Sequence, residues 1–398
     1  MSRVSPPAAP ASDRGEEEAA AHAGAARRPA QFASAALFVA LGFNYGTWTS
    51  RLPAIKSTLA LDTSQVSLVL LAGALGAVFS FPVTAWLLHR FGSRGASLIA
   101  GGLLPLVLLA LGTTPSFGAV CATMVAFGIV ASALDVAMNA QGVEVERRFR
   151  EAIMSRLHAG FSLGTMAGAL FASAVTWFTP SLPLHFGAAA ILMGLAVAWT
   201  RPRLVPDEKP LGGGSRRFAI AGGAALWLGA IALLGMIVEG SMIDWSTLYL
   251  KESAGASVQV APLGIASVQG SMLVARWFGD GWRVRFGAPR LLVAGSLLAG
   301  LGLGAALLIG GIGAALVGFA FVGVGVAAIS PCVYAAGAQR GAVALASVTT
   351  MGSIGALVGP PLIGGVAQHA GLPWGMAVIA IGAFVMAPLV TRVKWDER

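Results

Sequence analysis

Three carboxylates stand inside long apolar runs of this 398-residue chain: Asp135, Glu239 and Asp244. An ionisable group in hydrocarbon is costly, and it is kept where it binds a solute, carries a proton or pairs with another charge. A desolvated carboxyl stays protonated until water reaches it, which suits proton carriage. Asp135 is followed four residues later by Asn139 (DVAMN), so a helix puts both on one face. Glu239 and Asp244 share the run EGSMIDWS with Trp245, Asn44, Tyr45 and Trp48 occupy NYGTW, and Tyr334 follows Ser330-Pro331. These eight residues (Asn44, Tyr45, Trp48, Asp135, Asn139, Glu239, Trp245, Tyr334) are the candidates for lining a polar cavity. Glu239, then Asp135, are the candidates for proton coupling. The plainer alternative is structural. Asp135 and Glu239 then serve as fixed hydrogen-bond or ion-pair partners, with Arg156 at a depth to meet Asp135, and the two tryptophans anchor at a membrane interface. Arg51 and Asp244 lie toward the same end of their runs, where they either pair as a gate or stay separate loop charges.

Other chemistries find little footing. His158 precedes Gly160-Phe161-Ser162-Leu163-Gly164, a G-x-S-x-G run, but a hydrolase elbow needs a strand leading into a helix. Here Gly160, Gly164 and Gly168 follow the four-residue spacing of packed helices instead. No H-E-x-x-H, Walker loop or metal-ligand cluster occurs. Cys121 and Cys332 sit singly in apolar runs. The sequence predicts no enzyme activity, no metal and no cofactor.

What must position the candidates is a set of membrane-spanning helices. The chain is 56% hydrophobic and only 11% charged, against roughly 25% charged in soluble domains. From Gln31 onward it holds twelve apolar stretches, at 31–52, 64–88, 95–113, 116–140, 156–178, 183–200, 217–247, 258–278, 290–309, 312–336, 345–367 and 373–391. About 20 residues of helix cross the hydrocarbon core, and lipid leaves an open strand edge no partner. The expected organisation is a disordered tail over 1–30, a six-helix bundle over 31–200, a central loop over 201–217, a second bundle over 218–392 and a short end over 393–398. The candidates then fall in spans 1, 4, 7 and 10, each the first of a three-helix unit, which implies one central polar cavity. Of the 26 Lys and Arg residues, 23 fall on the side of the termini and only Arg51, Lys56 and Lys251 on the other. That imbalance predicts both termini in the cytoplasm. It also disposes of nucleic acid as the reason for the net charge of +9, because the basic residues form no single face. Arg27-Arg28 ahead of span 1 is similar to a twin-arginine export signal, but the run behind it is long enough to span.

The halves repeat. An offset of 195 carries Phe91-Gly92 onto Phe286-Gly287, Gly128 onto Gly323 and Gly142 onto Gly337, and an offset of 191 carries Ser162, Gly164 and Gly168 onto Ser353, Gly355 and Gly359. Duplicated halves put a solute site near the midplane and allow alternating access by rocking.

From residue 31 to about 392 the sequence resembles the major facilitator superfamily. The loop Ala85-Trp86-Leu87-Leu88-His89-Arg90-Phe91-Gly92-Ser93-Arg94 is similar to the signature G-x-L-x-D-R-x-G-x-R, with Arg90, Gly92 and Arg94 on its positions. Ala85 and His89 stand where the signature has Gly and Asp. The second-half loop keeps an acidic residue, Asp280, before Arg285-Phe286-Gly287. Four runs, GFNYGTWTSRLPAIK, DVAMNAQGVEVE, SRLHAGFSLG and EGSMIDWSTLYL, resemble the MosC/YbjJ-like branch, which is associated with uptake or export of small polar metabolites such as rhizopine. The resemblance implies an all-α membrane protein with twelve transmembrane helices in two pseudo-symmetric six-helix bundles. It implies a secondary transporter of a small polar organic solute, coupled to protons, in the cytoplasmic membrane and monomeric. It assigns gating to Arg90, Gly92, Arg94 and Asp280, beside Arg51 and Asp244. Two alternatives stay open. Gly355 to Gly365 is similar to the G-x-x-x-G-P-x-x-G-G pattern of efflux antiporters for amphipathic compounds, although it falls in helix 11 rather than 5. A non-transporting receptor is the other, and it would call for a longer extramembrane domain than the central loop offers.

Overall fold

A computed structural model describes residues 11–207 and 223–395, without the side chains of 11–26, 224, 280 and 342. The first helix, α1 (Ala11–Thr49), runs from the end of the molecule that carries the termini to the opposite end. Its backbone is helical from Ala11, inside the segment expected to be a disordered tail. The Ala- and Glu-rich composition there explains this correction, since both residues favour helix strongly. Span 1 ends at Thr49 rather than 52, and a short helix, α2 (Leu52–Thr58), turns the chain at the opposite end. Next comes α3 (Thr63–Leu111), two spans joined directly at Gly92, whose φ of 66° and ψ of −179° are open to glycine alone. The remaining spans of this half are α4 (Phe117–Phe149), α5 (Met154–Val175) and α6 (Leu182–Thr200). At the opposite end Asp62 and Gln65 form a capping box on α3, while Ser116 and Ser181 cap α4 and α6.

The second half comprises α7 (Ala224–Glu252), α8 (Leu263–Phe286), α9 (Ala288–Ile309), α10 (Gly311–Val326), α11 (Ile329–Gln339), α12 (Ala342–Ala370) and α13 (Leu372–Arg392). One expected span, 312–336, is broken into α10 and α11 just before Ser330-Pro331, where proline disfavours an unbroken helix. Nine helical stretches among the described residues are long and apolar enough to cross a membrane. One of them is α3, which holds two spans, and α1 and α8 complete twelve. Two boundaries differ usefully from the expectation: α7 runs on to Glu252 and α8 to Phe286. Arg276, which the sequence groups with the terminal-end charges, therefore lies mid-helix, about 15 Å from the end of α8 at 1.5 Å per residue. The central loop is described only to Asp207.

Within the first half α1 packs on α5 and α6, and α3 on α4 and α6. Within the second, α7 packs on α12 and α13, α9 on α10 and α13, and α8 on α10. The halves meet along two seams, α5 against α8 and α3 against α12. The repeat is visible in how the glycines are used. A Cβ at Gly128 of α4 would lie 1.9 Å from the Gly73 carbonyl of α3, and one at Gly323 of α10 would lie 2.1 Å from the Val268 carbonyl of α8. Each glycine lets the fourth span of its half cross the second at backbone contact. Gly128→Ala and Gly323→Ala should each cost about 1–3 kcal/mol through overpacking, read as a lower melting temperature of the purified protein. Gly304→Ala, where the added Cβ meets open space, should leave it unchanged or raise it.

Candidate functional site

Arg276 of α8 is the cation at the centre of the molecule. One guanidinium nitrogen donates to Ser162 Oγ of α5 at 2.8 Å, and another donates to Glu239 Oε1 of α7 at 3.1 Å. Both charged side chains are largely buried, at 14% and 15% exposure. The pair keeps two ionised groups in a low-dielectric interior, and the arm to Ser162 reaches across the α5–α8 seam into the other half. Sequence reasoning found Glu239 but missed Arg276 and Ser162. Arg276 was hidden by the underestimated length of α8, and Ser162 by its place in a glycine run that reads as packing.

Of the other candidates, Tyr334 lines the same cavity as Arg276. Glu239 and Asp135 both lie within electrostatic reach of the Tyr334 hydroxyl, and Asp135 and Asp244 within reach of Tyr45. Asp135 is exposed. Asn139 donates to both the Asp135 carbonyl and its Oδ1, at 2.8 and 3.2 Å. Tyr45 is half-buried, with its ring edge-on to Phe127 and Phe161. Arg156 does not meet Asp135; it pairs with Glu151 at 2.6 Å.

Four expectations are corrected by packing. Asn44 is fully buried and donates to Met193 Sδ of α6, because one helical step of about 100° turns it away from the face that Tyr45 presents. Trp48 is buried edge-on to Phe127 inside the first half, and Trp245 is fully buried against Gly364 of α12. Both therefore neither line the cavity nor anchor at an interface. Arg51 donates to the Pro180 carbonyl and forms no ion pair with Asp244. Among the described residues, the ion pair that joins the halves at that end is Lys56–Glu252, at 2.7 Å.

Further contacts join the halves at the same end. The Ser64 amide donates to Gln368 Oε1 at 3.1 Å, Ser173 Oγ donates to the Gln259 carbonyl at 2.5 Å, and Gln259 Nε2 donates to the Thr176 carbonyl at 3.3 Å. On the α3–α12 seam the fit is tighter still, since a Cβ at Gly364 would lie 1.4 Å from Ser67 Oγ. Toward the terminal end the polar contacts found among the described residues stay within one half, as in Gln31–Glu151 and Arg340 with the Lys394 carbonyl. There a cavity of about 450 Å³ lies mostly within the second half, lined by the terminal sides of α8, α9, α10 and α11, with Met154, Ser155 and His158 of α5 at its edge. His158, Arg276 and Tyr334 are on its wall. Among the described residues, the polar contacts between the halves thus gather toward the opposite end, and this cavity lies on the terminal side. Among the described residues no three His, Cys, Asp or Glu side chains converge as a metal site.

The loop at Gly92 takes its acid from elsewhere. His89 is exposed, and Asp207, just beyond α6, reaches the place where the chain restarts as a helix. Its Oδ1 accepts from Ser93 Oγ at 2.5 Å and its Oδ2 from the Arg94 amide at 3.3 Å, so it caps the third span. Gln141 of α4 ties Ser93 to the Val205 carbonyl, and Arg94 donates to the Arg201 carbonyl at 2.9 Å. A Cβ at residue 92 would lie 2.2 Å from Asp207 Oδ2, so glycine is required by space as well as by φ. Arg90 stays exposed over the Phe91 ring, and the Asp280 side chain lies outside the described residues. Near α1, hydrogen bonds from Arg156 and then Gln31 hold the Glu151 carboxyl below its usual range. That anchorage is present above the ordinary carboxylate value and is lost as pH falls through the lowered one.

The model of the Major Facilitator Superfamily matches residues 33–342. The sequence is 31% identical over 357 residues to an uncharacterised MFS-type transporter of Yersinia pestis, spanning 87% of this chain and 91% of that protein. It is 29% identical over 356 residues to the membrane protein MosC of Rhizobium meliloti, spanning 86% and 85%. Among solved structures, a point mutant of the nucleoside transporter NupG superposes with a TM-score of 0.72 at 14% identity, over 92% of this chain and 100% of that one. A bacterial homolog of the human lysosomal transporter Spinster, in an inward-facing and occupied conformation, superposes with a TM-score of 0.69 at 16% identity, over 92% and 98%. At such identities these two establish the fold.

Two outcomes follow from this geometry. Gly364→Leu should hold the α3–α12 seam apart, so that a cysteine placed at Ser67 reacts with a water-soluble maleimide several-fold faster than in the otherwise unchanged protein. Asp207→Ala should cost about 1 kcal/mol as a lost helix cap and raise amide hydrogen exchange at Ser93 and Arg94, whereas Arg90→Gln should alter neither.

Proposed function

The chain belongs to the Major Facilitator Superfamily, and from that premise we propose that it carries a small polar organic solute across the membrane by alternating access, coupled to protons through Glu239 and then Asp135. As a family member it is a multi-pass membrane transport protein and not an enzyme. The observation that carries the finer reading is the Ser162–Arg276–Glu239 bridge. It is the polar link between the halves at mid-membrane depth, and it has a protonatable member. While Glu239 is ionised it neutralises and orients Arg276, which keeps the α5–α8 seam engaged. A proton on Glu239 removes that charge, weakens the arm to Ser162 and frees the halves to rock. Asp135 and Tyr334 stand close enough to respond to the same change, one in each half.

The solute enters where the cavity is, and the seal at the opposite end opens when the halves rock. Placing the basic terminal end in the cytoplasm follows the positive-inside rule, in the cytoplasmic membrane with a single chain as the working unit. In that placement the described conformation faces inward. Efflux of amphipathic compounds, which the α12 glycine run suggests, is the second reading, and the largely apolar lining of the cavity favours it.

The test is a reconstituted liposome with an imposed pH gradient and a panel of radiolabelled small polar metabolites. The unaltered protein should accumulate at least one of them. Glu239→Gln should lose gradient-driven accumulation by at least about ten-fold while still exchanging solute at equal pH, and Asp135→Asn should lose less. Full accumulation by both variants removes the proton assignment.

A further inference from the structure

The cavity wall has a definite chemical bias. Arg276 carries five N–H donors, and Ser162 and Glu239 take one each in the hydrogen bonds described. Arg276 is on the wall of the cavity and Glu239 is not, so of the two members of the ion pair it is the arginine that borders the cavity. Arg283, two turns along the same face of α8, is a second cation on the wall. Ser155, Ser330 and Tyr334 add hydroxyls, and His158 adds an imidazole. Among the described lining residues, which do not include the Asp280 side chain, there is no carboxylate. The rest of the wall is largely apolar, and Leu291, Leu298, Val324, Pro331 and Trp282 are among its residues.

We propose that this cavity binds an organic monocarboxylate, whose carboxylate docks on Arg276 in competition with Glu239 and whose apolar body lies against the wall formed by α9 and α10. The proposal rests on the transport reading for the claim that this ligand is the cargo, while the binding site itself stands on the cavity. A guanidinium matches a carboxylate by two parallel hydrogen bonds, so the ligand's acid group replaces the one Glu239 supplies. Glu239 is thereby released from Arg276 and is free to take another partner. Solute binding and proton uptake are linked in this way by one shared cation, with no second charged site needed. A neutral ligand could accept from Arg276 without the charge assistance, and an amine would be repelled by it.

The experiment is calorimetric titration of the purified full chain with benzoate and hexanoate, set against benzamide, hexanamide and benzylamine. Saturable binding of the acids is expected, with the amides and the amine at least about ten-fold weaker, as befits loss of a charge-assisted pair. Arg276→Gln should weaken acid binding at least about ten-fold, and Glu239→Gln, which frees the guanidinium, should tighten it several-fold. If Arg276→Gln does not fold, the acid–amide comparison and Glu239→Gln decide. The proposal is overturned if amides or the amine bind as tightly as the acids, if acid binding survives unchanged in folded Arg276→Gln, or if Glu239→Gln fails to tighten it. Because the readout is binding and not flux, any of these failures leaves the transport reading standing. Benzoate or hexanoate that binds but is never accumulated in liposomes would instead remove these acids as cargo and leave the site intact.

Discussion

A guanidinium at mid-membrane depth has to be paired, and in this molecule the pairing of Arg276 organises everything around it. An isolated cation in hydrocarbon costs several kcal/mol even by the most lenient scales. Glu239 offsets that cost from the neighbouring helix of the same half, and Ser162 completes it from the other half. The consequence is that an electrostatic requirement of one bundle is met partly by its partner. Shape complementarity alone would let the halves slide or separate; a buried ion pair with an arm across the seam gives them a preferred register, and in the proposed mechanism protonation is the event that cancels it.

The rest of the architecture is consistent with a molecule that must open and close around this point. Contacts at the opposite end are of modest individual strength: one partly exposed ion pair, Lys56–Glu252, and a few hydrogen bonds involving Ser64, Ser173, Gln259 and Gln368. Surface ion pairs of that kind contribute at most about 1 kcal/mol, so the seal can be broken by a ligand or a proton. The close α3–α12 approach at Gly364 does the shaping. Inside each half the opposite logic holds, with glycines at the Gly128 and Gly323 crossings fixing helices at backbone contact. Rigid halves and a weakly sealed seam are what a rocking mechanism requires.

Much of this was legible in the sequence, and the misses share a cause. Apolar length revealed the spans, the offset of 195 revealed the repeat, and the cost of buried charge singled out Asp135, Glu239 and Asp244. Depth and azimuth were harder. Arg276 looked like a loop charge because hydropathy falls before α8 actually ends, at Arg283 and Arg285, whose long side chains extend toward the helix end. Asn44 and Tyr45 are adjacent in sequence and point about 100° apart around the helix, which an apolar run with few polar markers cannot resolve. Trp48 and Trp245 read as interfacial by type and proved to be core by packing. The partner of the Gly92 loop was out of reach for a different reason: Asp207 is 114 residues from Ser93, and only the folded chain brings a central-loop acid to a position where His89 offers none.

The central claim is that ionised Glu239 holds the halves together through Arg276, and that protonation releases them. It is tested most directly by a distance between spin labels on the terminal ends of α5 and α8, measured by pulsed electron paramagnetic resonance in nanodiscs across a pH series. The account predicts a distance distribution that shifts from one population to another as pH falls. In Glu239→Gln the low-pH population should be present at every pH. A pH-dependent shift that persists unchanged in Glu239→Gln, or distances in the unaltered protein that ignore pH altogether, would contradict it.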